Sequence, residues 1–232
     1  MRVACLFALA FYHFPLLEGG FYFAVKEEDT MQLMAITDNR QPIEQLAKQL
    51  IAIERYVDYI QLREKNKTAK EIMTLLRYLD EAGVQKQKLI LNDRVDIAVC
   101  CGIPTVQLPE HGLSIQHVRA QFPHLRIGKS VHTVEGAIEA ENEGAHYVLY
   151  GHCFMTNSKR GIAPNGLTPL CNIKNRLNIP VFAVGGIDVQ HVPTLQAFHV
   201  DGIAVMSRIF SAKNLQLEAK RLQEVIQHGT NI

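Results

Sequence analysis

Residues 181–186, VFAVGG, and residues 202–207, GIAVMS, decide the fold of this chain. Each stretch is a short apolar run, typical of a buried strand, followed at once by small residues. Glycines let backbone N–H groups approach an anion closely, and Ser207 adds a hydroxyl group. In a (β/α)8 barrel, a phosphate site of this kind follows strands seven and eight. The two stretches therefore predict such a barrel, with a phosphate bound at Gly185, Gly186, Met206 and Ser207.

The rest of the chain supplies six earlier strand-like runs, separated by segments with apolar residues at helical spacing. The runs are Leu33–Thr37, Tyr59–Leu62, Lys88–Leu91, Thr105–Leu108, Arg126–Ser130 and Tyr147–Tyr150. Thr68 and Glu71 form a capping-box pattern at one helix start, Gly83 ends that helix, and Ser114 begins another. An open, doubly wound sheet is the alternative, but no G-x-G-x-x-G turn follows the first strand. The pattern predicts an α/β protein, a (β/α)8 TIM barrel formed as a single domain by residues 31–232.

Composition excludes several other classes of protein. Apolar residues make up 47% of the chain and charged residues 20%, and the formal net charge is +1. Nucleic-acid binding is not expected, because the lysines are scattered and form no basic face. The five cysteines show no metal-ligand spacing, which indicates reduced thiols and a cytoplasmic location. We expect the adjacent Cys100 and Cys101 to be a buried pair on a helix.

Residues 1–30 differ from the rest of the chain. The apolar run Val3–Phe14 follows Arg2 and resembles the apolar part of a signal peptide. It is too short to span a bilayer and lacks a clear cleavage site, so no membrane association is expected. Because Met31 stands directly before the first strand, we expect residues 1–30 to be an N-terminal extension that reflects a start codon assigned too far upstream. A genuine extension that packs poorly is the second interpretation, and a signal peptide is the third.

Polar residues at the strand ends are the candidates for chemistry, since the βα loops build the active face of a barrel. After the second strand, period-two alternation places Gln61, Arg63 and Lys65 on one side. Three donors that face inward at a barrel mouth suit an anionic ligand. In the alternative interpretation, the two cations simply pair with Glu64 or with solvent.

Two histidines follow adjacent strands, His132 after the fifth and His152 after the sixth. Imidazoles are the natural proton-transfer groups at neutral pH, although a lone histidine at a strand end is often a structural residue. Asn92–Asp93 could hold a divalent cation, but the nearby Glu110 follows a proline that turns it away. We therefore expect no metal ion at this position.

Several motifs in order resemble the thiamin phosphate synthase superfamily, and the match spans Met31 to about Gln227. They are Gln61-Leu-Arg-Glu-Lys65, Asn92-Asp-Arg-Val-Asp-Ile-Ala98, Gly128-x-Ser-x-His-Thr133, Thr156-x-Ser-Lys159, Val184-Gly-Gly-Ile187 and Asp201-Gly-Ile-Ala-Val-Met-Ser207. Three departures favour one branch. Gly112 stands where synthases carry a metal-binding aspartate, Gly151–His152 replaces a Gly-Pro pair, and Ser158 replaces a threonine. With these departures the chain resembles the TenI branch, the thiazole tautomerases.

This resemblance implies a cofactor-free isomerase of thiamin biosynthesis. Its substrate would be 2-carboxy-4-methylthiazol-5(2H)-ylidene ethyl phosphate, which becomes aromatic when a proton moves from ring C2 to the exocyclic carbon. By position His152 would carry that proton, and His132 would orient the ligand or His152. Arg63, Lys65 and Lys159 would face the substrate's negative charge. The family also implies that the protein is a homodimer. Its small-molecule ligand would be this thiazole phosphate.

Two other functions stay open. One is thiamin phosphate synthase, which joins hydroxymethylpyrimidine pyrophosphate to thiazole phosphate, because Asn92–Asp93 retains part of that motif. The other is a non-catalytic regulator that binds a phosphate of the thiamin pathway. Such a regulator would tolerate loss of His152, whereas the isomerase would not.

Overall fold

The strands of this chain close into a parallel barrel, in a computed structural model that describes residues 30–156 and 161–228. Within these residues, eight strands follow one another around the barrel in chain order, and β1 pairs with β8 to close it. They are β1 (Gln32–Ile36), β2 (Tyr59–Leu62), β3 (Leu89–Asn92), β4 (Thr105–Leu108), β5 (Arg126–Val131), β6 (Tyr147–Gly151), β7 (Val181–Val184) and β8 (Gly202–Val205). The predicted (β/α)8 barrel is therefore confirmed.

Helices follow the strands and cover the outside of the barrel. They are α1 (Ile43–Ile53), α2 (Ala69–Glu81), α3 (Val95–Cys101), α4 (Ile115–Gln121), α5 (Val134–Asn142), α6 (Thr168–Lys174), α7 (Val192–Ala197), α8 (Ser207–Phe210) and α9 (Leu215–His228). The capping box at α2 forms as predicted, because the Thr68 hydroxyl accepts from the Glu71 N–H and the Glu71 carboxylate accepts from the Thr68 N–H. Ser114 likewise accepts from the N–H of His117 at the start of α4.

The predicted strands agree closely with the observed ones. Four of the eight have the predicted bounds, and β1 and β3 are each displaced by a single residue. The apolar pattern locates the segment that is buried, whereas the hydrogen bonds of the ladder decide where a strand begins and ends. This is why the presence of each strand is predicted better than its ends.

The core has two layers, one between strands and helices and one inside the barrel. In the inner layer the rings of Tyr147 and Phe182 pack edge to face, with centroids 5.6 Å apart. A Cβ at Gly128 would lie 2.1 Å from Cζ of Tyr147, so only glycine leaves room for that ring. Because large side chains fill the interior below, the space for a ligand lies at the carboxyl ends of the strands.

The expectation of a buried cysteine pair is wrong. Cys100 and Cys101 do lie on α3, but Cys100 is exposed and Cys101 is partly exposed. The buried positions of α3 are Val95, Ile97 and Ala98, and a residue two positions after Ala98 faces away from the barrel. Adjacent residues on a helix do not share a face, so the two cysteines could not both lie on the buried face of α3.

The predicted N-terminal extension and the predicted ligand contact Lys159 fall on residues that the structure does not describe, apart from Thr30. Among the helices of the described residues, none combines the length and the apolar character needed to cross a membrane.

Candidate active site

A cavity of about 510 Å³ opens at the carboxyl ends of the strands, where a barrel enzyme binds its ligands. The structure brings together in its wall every described residue that the sequence predicts for the site. These residues are Arg63, Lys65, His132, His152, Gly185, Gly186, Met206 and Ser207. A larger hollow of about 690 Å³ lies between α2 and α3 on the outer surface and includes none of them. The functional roles of these residues stay predictions.

The loop after β7 has the backbone form expected of a phosphate cradle. Gly185 and Gly186 both have positive φ, at 99° and 67°. A Cβ at Gly185 would lie 2.3 Å from Cβ of His152, and one at Gly186 would lie 2.4 Å from the carbonyl oxygen of Met155. The loop therefore lies directly against the residues that follow β6, and neither position has room for a side chain.

Arg208 is a cavity residue that the sequence analysis missed. Its guanidinium donates to Asp188 at 3.2 Å and forms an ion pair with Glu218 at 2.7 Å. Asp188 follows the glycine loop of β7, and Glu218 lies on α9. Arg208 thus connects the two loops of the predicted cradle to the outer helix. The separation of Asp188, Arg208 and Glu218 along the chain does not indicate that they are in contact. They come together because the barrel closes.

Arg63 and Lys65 keep their positive charges available at the cavity wall. Glu64, between them, points away and is buried, and its carboxylate accepts from the N–H of Asn39 at 3.2 Å. The Arg63 backbone is held by Thr37, whose hydroxyl accepts from its N–H at 2.8 Å. Within the described residues, no ion pair involves the side chain of Arg63 or Lys65. The interpretation in which Glu64 neutralises them is therefore wrong.

Burial raises the pKa of Glu64 above its ordinary value of 4.5, against the lowering effect of hydrogen bonds from Thr37 and Asn39. The folded protein thus holds this proton more tightly than the unfolded chain. The stability that the group contributes is complete below about pH 4.5 and is lost as the pH rises through the raised value. Glu64→Gln should therefore gain stability relative to the wild type as the pH rises from 4 to 8, in urea unfolding series at about five pH values.

Glu71→Gln is the matched control for that series. Hydrogen bonds from Thr68 lower the pKa of Glu71, so the stability it contributes is present above its ordinary value and is lost on acidification. The free energy of unfolding of Glu71→Gln should therefore fall relative to that of the wild type as the pH rises, opposite to the trend for Glu64→Gln. If the difference in unfolding free energy between Glu64→Gln and the wild type does not change with pH, the expected effect of burial on Glu64 is contradicted.

His132 is held in one tautomer by the end of the neighbouring strand. Its Nδ1 lies at hydrogen-bond distance from the carbonyl oxygen of Gly151, and a carbonyl only accepts, so Nδ1 carries a proton. Its Nε2 lies 3.6 Å from a carboxylate oxygen of Glu110. The expectation that Pro109 turns Glu110 away is wrong, because Glu110 lies in the cavity wall. The Lys129 ammonium donates to the carbonyls of Pro109 and Glu110, at 2.8 and 3.1 Å, and holds this loop at the mouth.

His152 is buried in the cavity wall, with 4% of its surface exposed. Its Nε2 lies 3.4 Å from the carbonyl oxygen of Ile162, while Nδ1 has no hydrogen-bond partner in the described part of the chain. A buried polar atom without a partner is costly, and such atoms are usually satisfied by a ligand or by water. The Nδ1 atom of His152 is therefore available to a bound molecule.

Gln61, Asn92 and Ser130 contribute polar side chains to the cavity wall, and Gln107 lies fully buried behind Ser130. Gln61 donates to the amide oxygen of Asn92 at 3.0 Å, and Gln107 donates to the hydroxyl of Ser130 at 3.0 Å. The remaining oxygen of each glutamine is buried without a hydrogen-bond partner among the described residues. These polar groups suit the ring nitrogens and amino groups of a heterocycle. Of these residues, only Gln61 and the Asn92–Asp93 pair were candidates from the sequence.

The residues near Asp93 do not fit the magnesium site that the resemblance implies for synthases. A Cβ at Gly112 would lie 3.1 Å from Oδ1 of Asp93, so position 112 is where a second carboxylate would face the first. Glycine offers no ligand there. In the described ranges, no group of three His, Cys, Asp or Glu side chains is arranged to hold a metal ion. Because Mg²⁺ beside a substrate phosphate is held by one or two carboxylates, Asp93 without a partner at position 112 is half of the site that the resemblance implies.

Comparison with known proteins places these features in a family. A family model described as thiamine monophosphate synthase matches residues 33–209. The chain is 33% identical over 201 residues to the thiamine-phosphate synthase of Pyrococcus abyssi, with 86% of this chain and 96% of that protein covered. It is 34% identical over 168 residues to the thiamine-phosphate synthase of Clostridium tetani, with 70% and 79% covered.

Solved structures agree with the sequence comparison. The thiamine phosphate pyrophosphorylase from Pyrococcus furiosus superposes with a TM-score of 0.72 at 30% identity, over 87% of this chain and 98% of that one. A 3-hexulose-6-phosphate synthase superposes with a TM-score of 0.67 at 19% identity, over 83% of this chain and 98% of that one, and shares the fold alone.

The prediction that the chain is a thiazole tautomerase, an isomerase, is wrong, whereas membership of the TenI branch stays a prediction. The relatives above are named for the synthase reaction, and the similarity to the Pyrococcus abyssi enzyme extends over nearly its whole length. The prediction rested on three local departures, at positions 112, 152 and 158. Such departures change single contacts in a loop, and they carry less weight than agreement along all eight βα units.

Proposed function

The chain belongs to the thiamine monophosphate synthase family, and from this premise we propose that it is a thiamine-phosphate synthase. It would be a transferase that joins hydroxymethylpyrimidine pyrophosphate to thiazole phosphate. The proposed substrates are therefore two small molecules of the thiamin pathway, and each carries an anionic group.

One observation supports this proposal above the others: a single cavity contains two separate elements suited to anions. The glycine loop of β7 and the residues after β8 form one, and Arg63 and Lys65 after β2 form the other. Because β1 separates β8 from β2 in the barrel, the two elements lie side by side without merging. A phosphate and a pyrophosphate can then bind together, with the rings between them.

The reaction needs a leaving group stabilised and a nucleophile positioned. The C–O bond between the pyrimidine methylene and the pyrophosphate breaks, and both electrons leave with the pyrophosphate. The lone pair of the thiazole nitrogen then forms the new C–N bond, so that the ring becomes a thiazolium and no proton is transferred. Arg63 and Lys65 would neutralise the charge that develops on the pyrophosphate. The backbone of Gly185 and Gly186 would hold the thiazole phosphate in line for attack.

The remaining polar residues would orient the rings and balance the positive charge. Glu110 is the one acidic side chain among the described residues of the cavity wall, and its charge favours a carbon that becomes electron-deficient as the pyrophosphate leaves. Asn92 and Ser130, held by their glutamine partners, would bind ring nitrogens and the amino group of the pyrimidine. The side chains of His132 and His152 would line the space between the two substrate rings.

No step of this proposal passes through a metal ion, because the residues around Asp93 and Gly112 do not form the expected site. The proposal includes a cytoplasmic location, which the cysteines predict, and a homodimer, which the family resemblance implies. The free thiols of the four described cysteines support a reducing compartment.

The test is an end-point assay of purified protein with both substrates, over a range of Mg²⁺ concentrations. Thiamine phosphate is quantified after oxidation to its fluorescent thiochrome, and released pyrophosphate is measured in parallel. We expect one pyrophosphate for each thiamine phosphate formed. Absence of product above the no-enzyme background at every Mg²⁺ concentration, from protein shown to be folded, would overturn the proposal.

A further inference from the structure

The loop that returns after β6 makes three hydrogen bonds to the two strand ends that carry the histidines. The side-chain nitrogen of Asn165 donates to the carbonyl of Gly151 at 2.9 Å and to the carbonyl of His132 at 3.2 Å. Its backbone N–H donates to the carbonyl of His152 at 3.0 Å. A single residue thus contacts the backbone of both imidazole-bearing positions.

The chemistry of these contacts fixes the orientation of the amide. Both partners of the Asn165 side chain are carbonyl oxygens, which only accept, so the NH2 group must face them and uses both of its protons. The Gly151 carbonyl also accepts from Nδ1 of His132. Asn165 and the His132 ring therefore share one acceptor, and a movement of that carbonyl moves the ring.

We propose that Asn165 is a positioning residue that holds the imidazoles of His132 and His152 in a fixed relation to each other across the cavity. It holds His132 through the shared Gly151 carbonyl and directly at its backbone, and it holds His152 through the hydrogen bond to its carbonyl. Ile162, three residues earlier in the same loop, adds the contact to Nε2 of His152. The loop thereby connects the ends of β5 and β6 at the level of the ligand.

The position of Asn165 in the chain explains why the sequence did not reveal it. It lies between Pro164 and Gly166 in a loop, outside every motif that carries the family resemblance. Asparagine beside glycine is typical of a turn, and the turn is the ordinary interpretation of this residue. Only the return of the loop onto the strand ends gives its amide two acceptors.

Asn165→Asp is the sharpest variant, because aspartate has the same shape but cannot donate the two hydrogen bonds when ionised. Its carboxylate would face two carbonyl oxygens and would displace the loop. The expected effect on activity rests on the proposed function. In the synthase assay we expect kcat/KM of Asn165→Asp to fall about 10- to 100-fold, mainly through kcat. Asn165→Ala, which removes the donors without adding charge, should show the same loss in kcat.

A readout without substrate separates this inference from the proposed activity. Long-range ¹H–¹⁵N correlation spectra of the histidine rings report which nitrogen carries the proton. In the wild type we expect His132 to be the Nδ1–H tautomer, and in both Asn165 variants we expect a mixture of tautomers. A residue with a merely structural role would lower the melting temperature without changing the tautomer.

Asn175→Ala is the matched control, because among the described residues the Asn175 amide donates to the Cys171 sulfur alone, at the exposed end of α6. It should leave the imidazole spectra and kcat unchanged. Unchanged His132 spectra in folded Asn165→Asp and Asn165→Ala would overturn the inference, whatever the activity assay shows. An inactive wild type with the expected spectral change would instead contradict the proposed function alone.

Discussion

Gly186→Ala is expected to lower the affinity of the protein for thiazole phosphate by about 100-fold or more. The new Cβ would lie 2.4 Å from the carbonyl oxygen of Met155 and 2.7 Å from that of Phe154. Both obstacles are backbone atoms, so the glycine loop must move away from the residues after β6. A displaced loop would no longer present its backbone N–H groups to the phosphate, and hydrogen bonds to a charged group are worth about 1.5–3 kcal/mol each, enough for a loss of this size. Titration calorimetry with thiazole phosphate, beside thermal unfolding of the same samples, measures the two effects separately.

Gly83→Ala is the control for the backbone conformation. Gly83 has a φ of 82°, and a Cβ there would meet no atom within 4 Å. Alanine at position 83 or 186 must adopt a left-handed backbone conformation, which costs about 1–2 kcal/mol of stability. Only at position 186 does its Cβ also clash with other atoms. Gly83→Ala should lose stability and keep full affinity. Equal affinities of folded Gly186→Ala and the wild type would show that this loop does not hold the phosphate.

Arg63→Ala is expected to reduce kcat/KM for thiamine phosphate formation by about 100- to 1,000-fold, the usual effect of removing one donor from a developing charge. The guanidinium lines the cavity and pairs with no carboxylate in the described part of the chain, so its charge is available to the pyrophosphate. Arg63→Lys should recover part of the loss, because lysine keeps the charge and loses the planar fork. Initial rates at varied pyrimidine pyrophosphate concentration give kcat and KM for each variant.

Arg221→Ala provides the comparison for the loss of an arginine as such. Arg221 is exposed on α9, on the outer surface of the barrel, and lies outside the cavity wall. Its replacement should leave both kinetic constants unchanged. Wild-type kinetics for Arg63→Ala would show that Arg63 does not contribute to the pyrophosphate site, and Lys65→Ala would then be the next variant to test.

The strands and most of the cavity wall could be predicted from the sequence, because each depends on local patterns. A buried parallel strand is a short apolar run, and in a barrel the residue after that run faces the mouth. This is why Arg63, His132 and His152 could be assigned to one cavity without a structure. The reaction could not be predicted in the same way, since it depends on which side chains meet around the ligand.

The contacts that the sequence analysis missed are all long-range. Glu110 lies at the mouth because Lys129, from the next strand, holds its loop there. Arg208 meets Asp188 and Glu218 from three separate segments, and Asn165 reaches back to strand ends 14 and 33 residues away. No spacing rule relates such residues, because a side-chain hydrogen bond depends on how loops fold over the barrel.

The sequence alone predicts the (β/α)8 architecture, the face on which the cavity opens, and the positions of the glycines and cations that line it. These follow from the burial of apolar runs and from the conformational freedom of glycine, which are properties of short segments. The tertiary structure alone decided that Glu64 turns away while Glu110 turns in, and that Asn165 and Arg208 hold the loops of the site. Those outcomes depend on barrel closure, which brings distant donors and acceptors within hydrogen-bond distance.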